Sequence, residues 1–198
     1  WDSVLKDDPA NYEALWKLAR AHWWLATYGS PQAGDVEKLA IFEKGIAWAK
    51  LAVTADLKGT QGHYWLGVCQ GRYGEVKGPL KSYFLVKSIR REMEAVLAID
   101  PDHAGAHYVL SVVYWKAPGK PLSIGSNKKA LYHAKRAVAL EPASLRYRLG
   151  LAEVYIEMDD KAKAKEILSE VVAMPPDGEY LPESQEDKEY AQKLLGGL

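Results

Sequence analysis

Apolar residues recur along most of this chain at the three- and four-residue spacing of helices that bury one side, and turn-forming residues interrupt the runs at regular places. The pattern predicts first helices over 10–26, 60–72, 104–116 and 145–158, each paired with a second helix over 37–57, 82–99, 127–140 and 161–174. Three stretches inside the pairs read as loops: Tyr28-Gly29-Ser30-Pro31, Gly71 to Pro79, and Ala117-Pro118-Gly119-Lys120-Pro121 through Ser126-Asn127. Asp100-Pro101-Asp102 and Glu141-Pro142 end helices, because a residue before proline avoids the α region. Ser184 with Asp187 three residues on has the form of a capping box. It opens a last helix over 184–195, with an apolar stripe at Ala191, Leu194 and Leu195.

The pairs repeat in register. Leu151-Ala152 and Tyr155 are followed by Ala164, Leu168, Val171 and Pro176, which is the tetratricopeptide (TPR) pattern of a large–small pair, a turn, spaced small residues and a closing proline. Leu110-Ser111 and Tyr114 lead to Ala130, Ala134, Ala137 and Pro142. Leu66-Gly67 leads to Ile89, Met93, Val96 and Pro101. Leu18-Ala19 and His22 lead to Gly45, Ala49 and Ala52, with Leu57 in the proline slot. The repeats run 12–59, 60–103, 104–144 and 145–178 inside one domain, 1–198. The first three exceed the standard length, and the surplus falls between their two helices, where it predicts extended loops. The expected fold is all-α, a TPR-like right-handed superhelix of four helix-turn-helix repeats with a polar-backed C-terminal capping helix.

First helices of such an array line its concave side. The inward slots hold Trp16, Arg20, Trp23 and Trp24 in the first repeat, and Tyr64, Val68, Gly71 and Arg72 in the second. The third supplies Tyr108, Val112, Trp115 and Lys116, and the fourth Leu149, Glu153, Ile156 and Glu157. Aromatic rings with cations among them suit a ligand with an apolar body and an anionic group. The alternative is that the same rings pack the interior of the repeats.

Composition sharpens this. Seven Trp and 12 Tyr stand against 2 Phe, so most aromatics carry a polar atom and suit half-wet surfaces. Lys+Arg 26 against Asp+Glu 26 leaves no basic excess for neutralising phosphates, which argues against nucleic acid as partner. No apolar run is long enough to span a bilayer. The chain starts at Trp1, which leaves room for a removed export signal. Phosphate-binding, dinucleotide and hydrolase motifs are absent. His103 and His107 beside Asp100 and Asp102 form at most half a metal site, and a capping Asp102 with a core His107 is the plainer reading. Cys69 reads as a core thiol, and Glu153 with Glu157 as solvated acids. Lys81, Lys87, Arg90 and Arg91 form a basic stretch offset by Glu92 and Glu94. No catalytic residues, metal or cofactor are expected.

Leu15-Trp16-Lys17-Leu18-Ala19-Arg20-Ala21, Gly62-His63-Tyr64-Trp65-Leu66-Gly67-Val68-Cys69 and Ile99-Asp100-Pro101-Asp102-His103 resemble two related groups. One is the eukaryotic regulator of microtubule dynamics family; the other is the bacterial TRAP-transporter-associated TPR component, TatT. The tail from Met174-Pro175-Pro176 through Glu186-Asp187 and Gln192 is similar to the first group's ending. The TatT resemblance implies a periplasmic protein that pairs with a substrate-binding protein and holds a hydrophobic ligand. The eukaryotic resemblance implies a helical scaffold, with lipid binding in at least one member. Together these readings give a non-catalytic binding protein that holds a protein segment or an amphipathic anionic ligand, in the periplasm or exported, with the cytoplasm as alternative. A TRAP transporter accessory role follows from the TatT resemblance. The rivals are a lipid carrier and a metal-dependent enzyme around His103 and His107.

Overall fold

The computed structural model describes residues 2–176 and 181–198, and among them helices account for nearly all regular structure. In chain order these are α1 Asp2–Asp7, α2 Tyr12–Trp24 continued by a π-helical turn Leu25–Gly29, α3 Asp35–Ala55, α4 Thr60–Lys77 and α5 Pro79–Ile99. Then come α6 Ala104–Lys116, α7 Asn127–Leu140, α8 Leu145–Glu157, α9 Lys161–Ala173 and α10 Leu181–Gly197. The isolated bridge between Gly119 and Gly125 is the one β-type pairing among the described residues. The protein is an all-α, TPR-type helical repeat.

The repeat slots form the core. Ala49, Ala52, Met93, Val96, Ala130, Ala134, Ala137, Ala164, Leu168 and Val171 are all buried, as are Leu18, Leu66, Leu110, Leu151 and Tyr155. Small side chains in these slots let paired helices approach closely. At Gly45 on α3, an added Cβ would lie 3.1 Å from the Cys69 sulfur and 3.4 Å from the Ala19 carbonyl oxygen. The frame treats 1–198 as one domain; the helices pack as two compact units, Trp1–Pro101 and Asp102–Leu198, each with two repeats. The last residues of the fourth frame, 177 and 178, lie outside the described residues.

In the first unit α3 packs against α2 and α4, and α4 against α5. The Tyr12 phenol accepts from the Gly62 N–H at 3.0 Å and so ties the first repeat to the start of α4. Burial is the main cause pushing the Tyr12 hydroxyl above its usual pKa. In the second unit α6 pairs with α7 and α8 with α9, and α10 covers α8 and α9. The Tyr108 ring lies against Gly150, where a Cβ would come 2.7 Å from it. It also meets Tyr147, with ring centroids 5.2 Å apart.

The surplus residues correct the loop reading. Gly71 to Pro79 is not a loop: α4 continues to Lys77, and Pro79 starts α5 after the single residue Gly78, whose φ of 105° suits glycine. Proline costs nothing at the first helical position, where its missing N–H has no partner anyway. In the first repeat the helix continues through Gly29, leaving 30–34 as the connection. Only the third repeat has a long loop, 117–126. There the Gly125 N–H donates to the Pro118 carbonyl and the Ser126 N–H to the Tyr114 carbonyl, both at 2.9 Å. The last helix also starts earlier than its capping box implied. Pro182 fits a first turn, and Ser184 and Asp187 sit buried within α10. The short α1 had no counterpart in the sequence pattern.

Candidate binding surfaces

On α2, Trp16, Arg20, Trp23 and Trp24 fall at intervals of three, four and eight residues, so they share one helix face. Tyr64, Val68 and Arg72 do the same on α4, which lies beside α2. Across this pair the rings form a continuous chain. Trp24 meets Tyr28 at 6.3 Å, Tyr28 meets Trp23 at 5.9 Å, Trp23 meets Trp65 at 5.5 Å, and Trp65 meets Tyr64 at 5.2 Å, centroid to centroid. Two of the angles are near-perpendicular, the edge-to-face arrangement that aromatic quadrupoles favour. Trp24 is exposed, Trp16, Trp23 and Tyr64 are half-buried, and Arg20 is exposed. The indole Nε1 atoms of Trp23 and Trp65 are buried without a hydrogen-bond partner. Arg72 pairs with Glu75 at 3.0 Å, and the Lys17 ammonium lies 5.5 Å from the Trp16 ring.

Tyr28 and Trp65 complete this chain and escaped the sequence reading. Trp65 follows an inward slot by one residue and turns toward the small cluster around Ala19, Ala49 and Leu66. Tyr28 lies four residues beyond Trp24, within reach only because the helix continues past the point where turn residues predicted its end. The structure does not bring every predicted residue onto an open surface. Tyr108 packs between α6 and α8, as described above. Leu149 is core, and Glu153 meets Tyr190 of α10.

In the second unit Trp115 and Lys116 line a cleft of about 730 Å³ formed with Pro118, Gly119, Ser126 and Glu157. The third-repeat loop builds one wall of it. The Lys116 ammonium lies 5.4 Å from the Trp115 ring, and the Trp115 Nε1 is a further buried donor without a partner.

The family model for regulator of microtubule dynamics protein 1-3 matches residues 2–116, more than half of the chain. The chain belongs to that family. In this regulator of microtubule dynamics family member, the matched part holds α1 to α6 and with them every ring of the first-unit chain. A tetratricopeptide repeat model matches residues 125–182. Among solved structures, the thermophilic TPR protein TTC0263 of Thermus thermophilus is similar with a TM-score of 0.69 at 19% identity, covering 96% of this chain and 86% of that one. MamA 41-end from Desulfovibrio magneticus RS-1 is similar with a TM-score of 0.57 at 19% identity, covering 91% and 81%. At that identity both carry the fold alone. No curated protein matches the chain.

The family member's other reactive groups have structural partners. His103, rather than Asp102, caps α6: its Nδ1 accepts from the Ala106 N–H at 3.1 Å, while Asp102 pairs with Arg136. His107 is buried, with its Nδ1 2.9 Å from that of His133. Burial, then the His107 charge, then Lys129 hold His133 down to a pKa of about 4, so one ring of this pair is a neutral acceptor. Among the described residues no cluster of three metal-ligating side chains occurs. Cys69 is buried, and burial pushes its thiol up to about 12, which makes it a core residue rather than a nucleophile. The chain has the architecture of a protein-interaction scaffold, and no helix among the described residues is long and apolar enough to cross a membrane.

Proposed function

We propose that this scaffold takes a protein segment on the α2–α4 face of its first unit, a segment that offers apolar side chains and a carboxylate. The observation that carries this reading is the five-ring chain with the two buried indole N–H groups of Trp23 and Trp65 left without acceptors. A buried donor without a partner costs about 1–3 kcal/mol. A bound segment that displaces the exposed Trp24 end of the ring chain would bring a carbonyl or carboxylate to these donors and recover that cost, and the exposed guanidinium of Arg20 on the same helix face supplies charge for an acid. The Trp115–Lys116 cleft offers the second unit a site of similar chemistry.

The test is a fluorescence titration with an apolar peptide that ends in a free carboxylate, beside the same peptide amidated. The free acid should bind more tightly, Arg20→Ala should remove that preference, and Trp24→Ala should weaken both peptides about tenfold with unchanged helical content. Equal binding of both peptides by all variants would refute the reading. A lipid carrier is the alternative use of the same face, and native mass spectrometry of gently purified protein separates the two by showing a bound lipid. The transport-accessory reading, with a periplasmic substrate-binding protein as partner and export as its consequence, is supported by the residue resemblance to TatT. Its test is co-purification with such a protein.

A further inference from the structure

The second hairpin of the first unit reaches beyond the shared core. The buried residues of α5 begin at Ile89, so none of Pro79–Ser88 is buried. Leu80 and Phe84 protrude, 73% and 68% exposed, and Tyr83 beside them is 41% exposed. At 100° per residue, Leu80, Phe84, Lys87 and Arg91 share a stripe about 60° wide. Phe84 and Tyr83 meet edge to face at 5.7 Å, so the apolar end of the stripe is a small aromatic cluster.

Lysines dominate the charge along this segment. From Val76 to Arg91 the sequence carries Lys77, Lys81, Lys87, Arg90 and Arg91 and no Asp or Glu, in a chain of zero net charge. Lys77 ends α4 next to the turn, and Lys81 lies 5.8 Å from the Tyr73 ring, so both sit at the hairpin tip. Glu94 and Glu92 offset Arg90 and Arg91, and Glu43 of α3 accepts from the Tyr73 hydroxyl at 3.0 Å, so the basic excess at the tip is that of Lys77, Lys81 and Lys87. Glu75 pairs with Arg72, and Glu92 also with His63. The tip of the first hairpin makes a control within the same unit. It exposes Trp24, Leu25 and Val36, yet Asp35 and Glu37 stand at the start of its α3.

We propose that the α4–α5 hairpin tip docks on an anionic lipid surface, with Leu80 and Phe84 entering the interface and Lys77, Lys81 and Lys87 facing the headgroup phosphates. Charge complementarity and protrusion select this occupant. Leu80 and Phe84 stand out from the hairpin tip and can enter a soft interface that needs no preformed groove. Protruding apolar residues ringed by lysines match a soft, negatively charged interface.

The experiment is co-flotation of the protein with vesicles of phosphatidylcholine alone and with about 30% phosphatidylserine. Binding is expected on the anionic vesicles, about tenfold weaker on the neutral ones, and falling as salt is raised. The double variant Leu80→Ser/Phe84→Ser and the double variant Lys77→Glu/Lys81→Glu should each lose it about tenfold with unchanged helical content, since these side chains support no core. Trp24→Ala should leave vesicle binding intact, which separates this proposal from the peptide site on the α2–α4 face. Equal binding to both vesicle types, no binding to either, or full binding by either double variant would overturn the proposal.

Discussion

In the first unit the second helices α3 and α5 are each 21 residues long, whereas α7 and α9 of the second unit have 14 and 13. The core slots are nevertheless the same. Phe42, Gly45, Ala49 and Ala52 bury α3 over the turns that Ala130, Ala134 and Ala137 bury in α7. Extra turns at about 1.5 Å per residue therefore lengthen the first-unit hairpins while adding few buried residues, Ala26 and Gly74 among them. Tyr28 lies in those added turns, as do Leu80, Tyr83 and Phe84. The second unit keeps near-standard helices and places its surplus in one loop, which shapes the Trp115–Lys116 cleft. The comparison teaches that in this fold the residues a repeat does not need for stability are the ones available for binding.

The largest break in that comparison comes from a slot. Leu168→Ala should destabilise the protein by about 3 kcal/mol in urea unfolding, because the side chain is fully buried in the second-unit cluster. Leu80→Ser, by contrast, should stay within about 0.5 kcal/mol. Next comes the cap. Burial first, and the charges of Glu186 and Glu153 after it, raise Asp187 to about 6 against the opposing pull of Arg146, 2.8 Å away. A raised carboxyl pKa stabilises the fold at acid pH and loses that contribution as pH rises through about 6. Asp187→Asn should therefore gain stability of the order of 1–3 kcal/mol at pH 8 and little at pH 4, read from melting curves. His133 has the opposite sign: its depressed pKa makes stability fall as pH drops from its unfolded value toward about 4, a loss that His133→Gln should blunt.

A smaller effect sharpens the distinction between packing and binding rings. Gly150→Ala should cost about 1–2 kcal/mol by pressing on the Tyr108 ring, and Tyr108→Ala in the same chain should cancel that increment in a double-mutant cycle. Additive effects would mean that Tyr108 does not sit against Gly150. The smallest expected effect on stability is that of Arg20→Ala, since an exposed side chain away from the core moves stability by less than about 0.5 kcal/mol while its charge acts on a bound acid.

Much of the fold was legible because TPR slots are local. Leu18-Ala19 and Leu151-Ala152 mark first helices, and spaced small residues mark second helices, without knowledge of any distant contact. Boundaries failed where proline starts a helix instead of ending one, as at Pro79 and Pro182. The proline start left Leu80 beside a predicted loop, while Tyr28 was hidden because the helix runs on through Gly29 past its turn residues. Trp23, Trp24 and Tyr64 were found from spacing, but Trp65 needed the packing of α4 on α2, and the packing role of Tyr108 needed the absent side chain of Gly150. The cap of α6 went to His103 because an imidazole nitrogen can accept an N–H as a carboxylate does.

The measurement closest to the centre of the account is a nitrogen–proton NMR spectrum of the seven indole N–H groups during titration with the apolar peptide acid. The resonances of Trp23 and Trp65, whose donors lack acceptors, should move downfield together as hydrogen bonds form, while that of Trp48, on α3 and outside the ring chain though packed on the same Ala19–Ala49–Leu66 cluster as Trp65, moves least. Saturable binding that moves Trp48 and leaves Trp23 and Trp65 unchanged would contradict it.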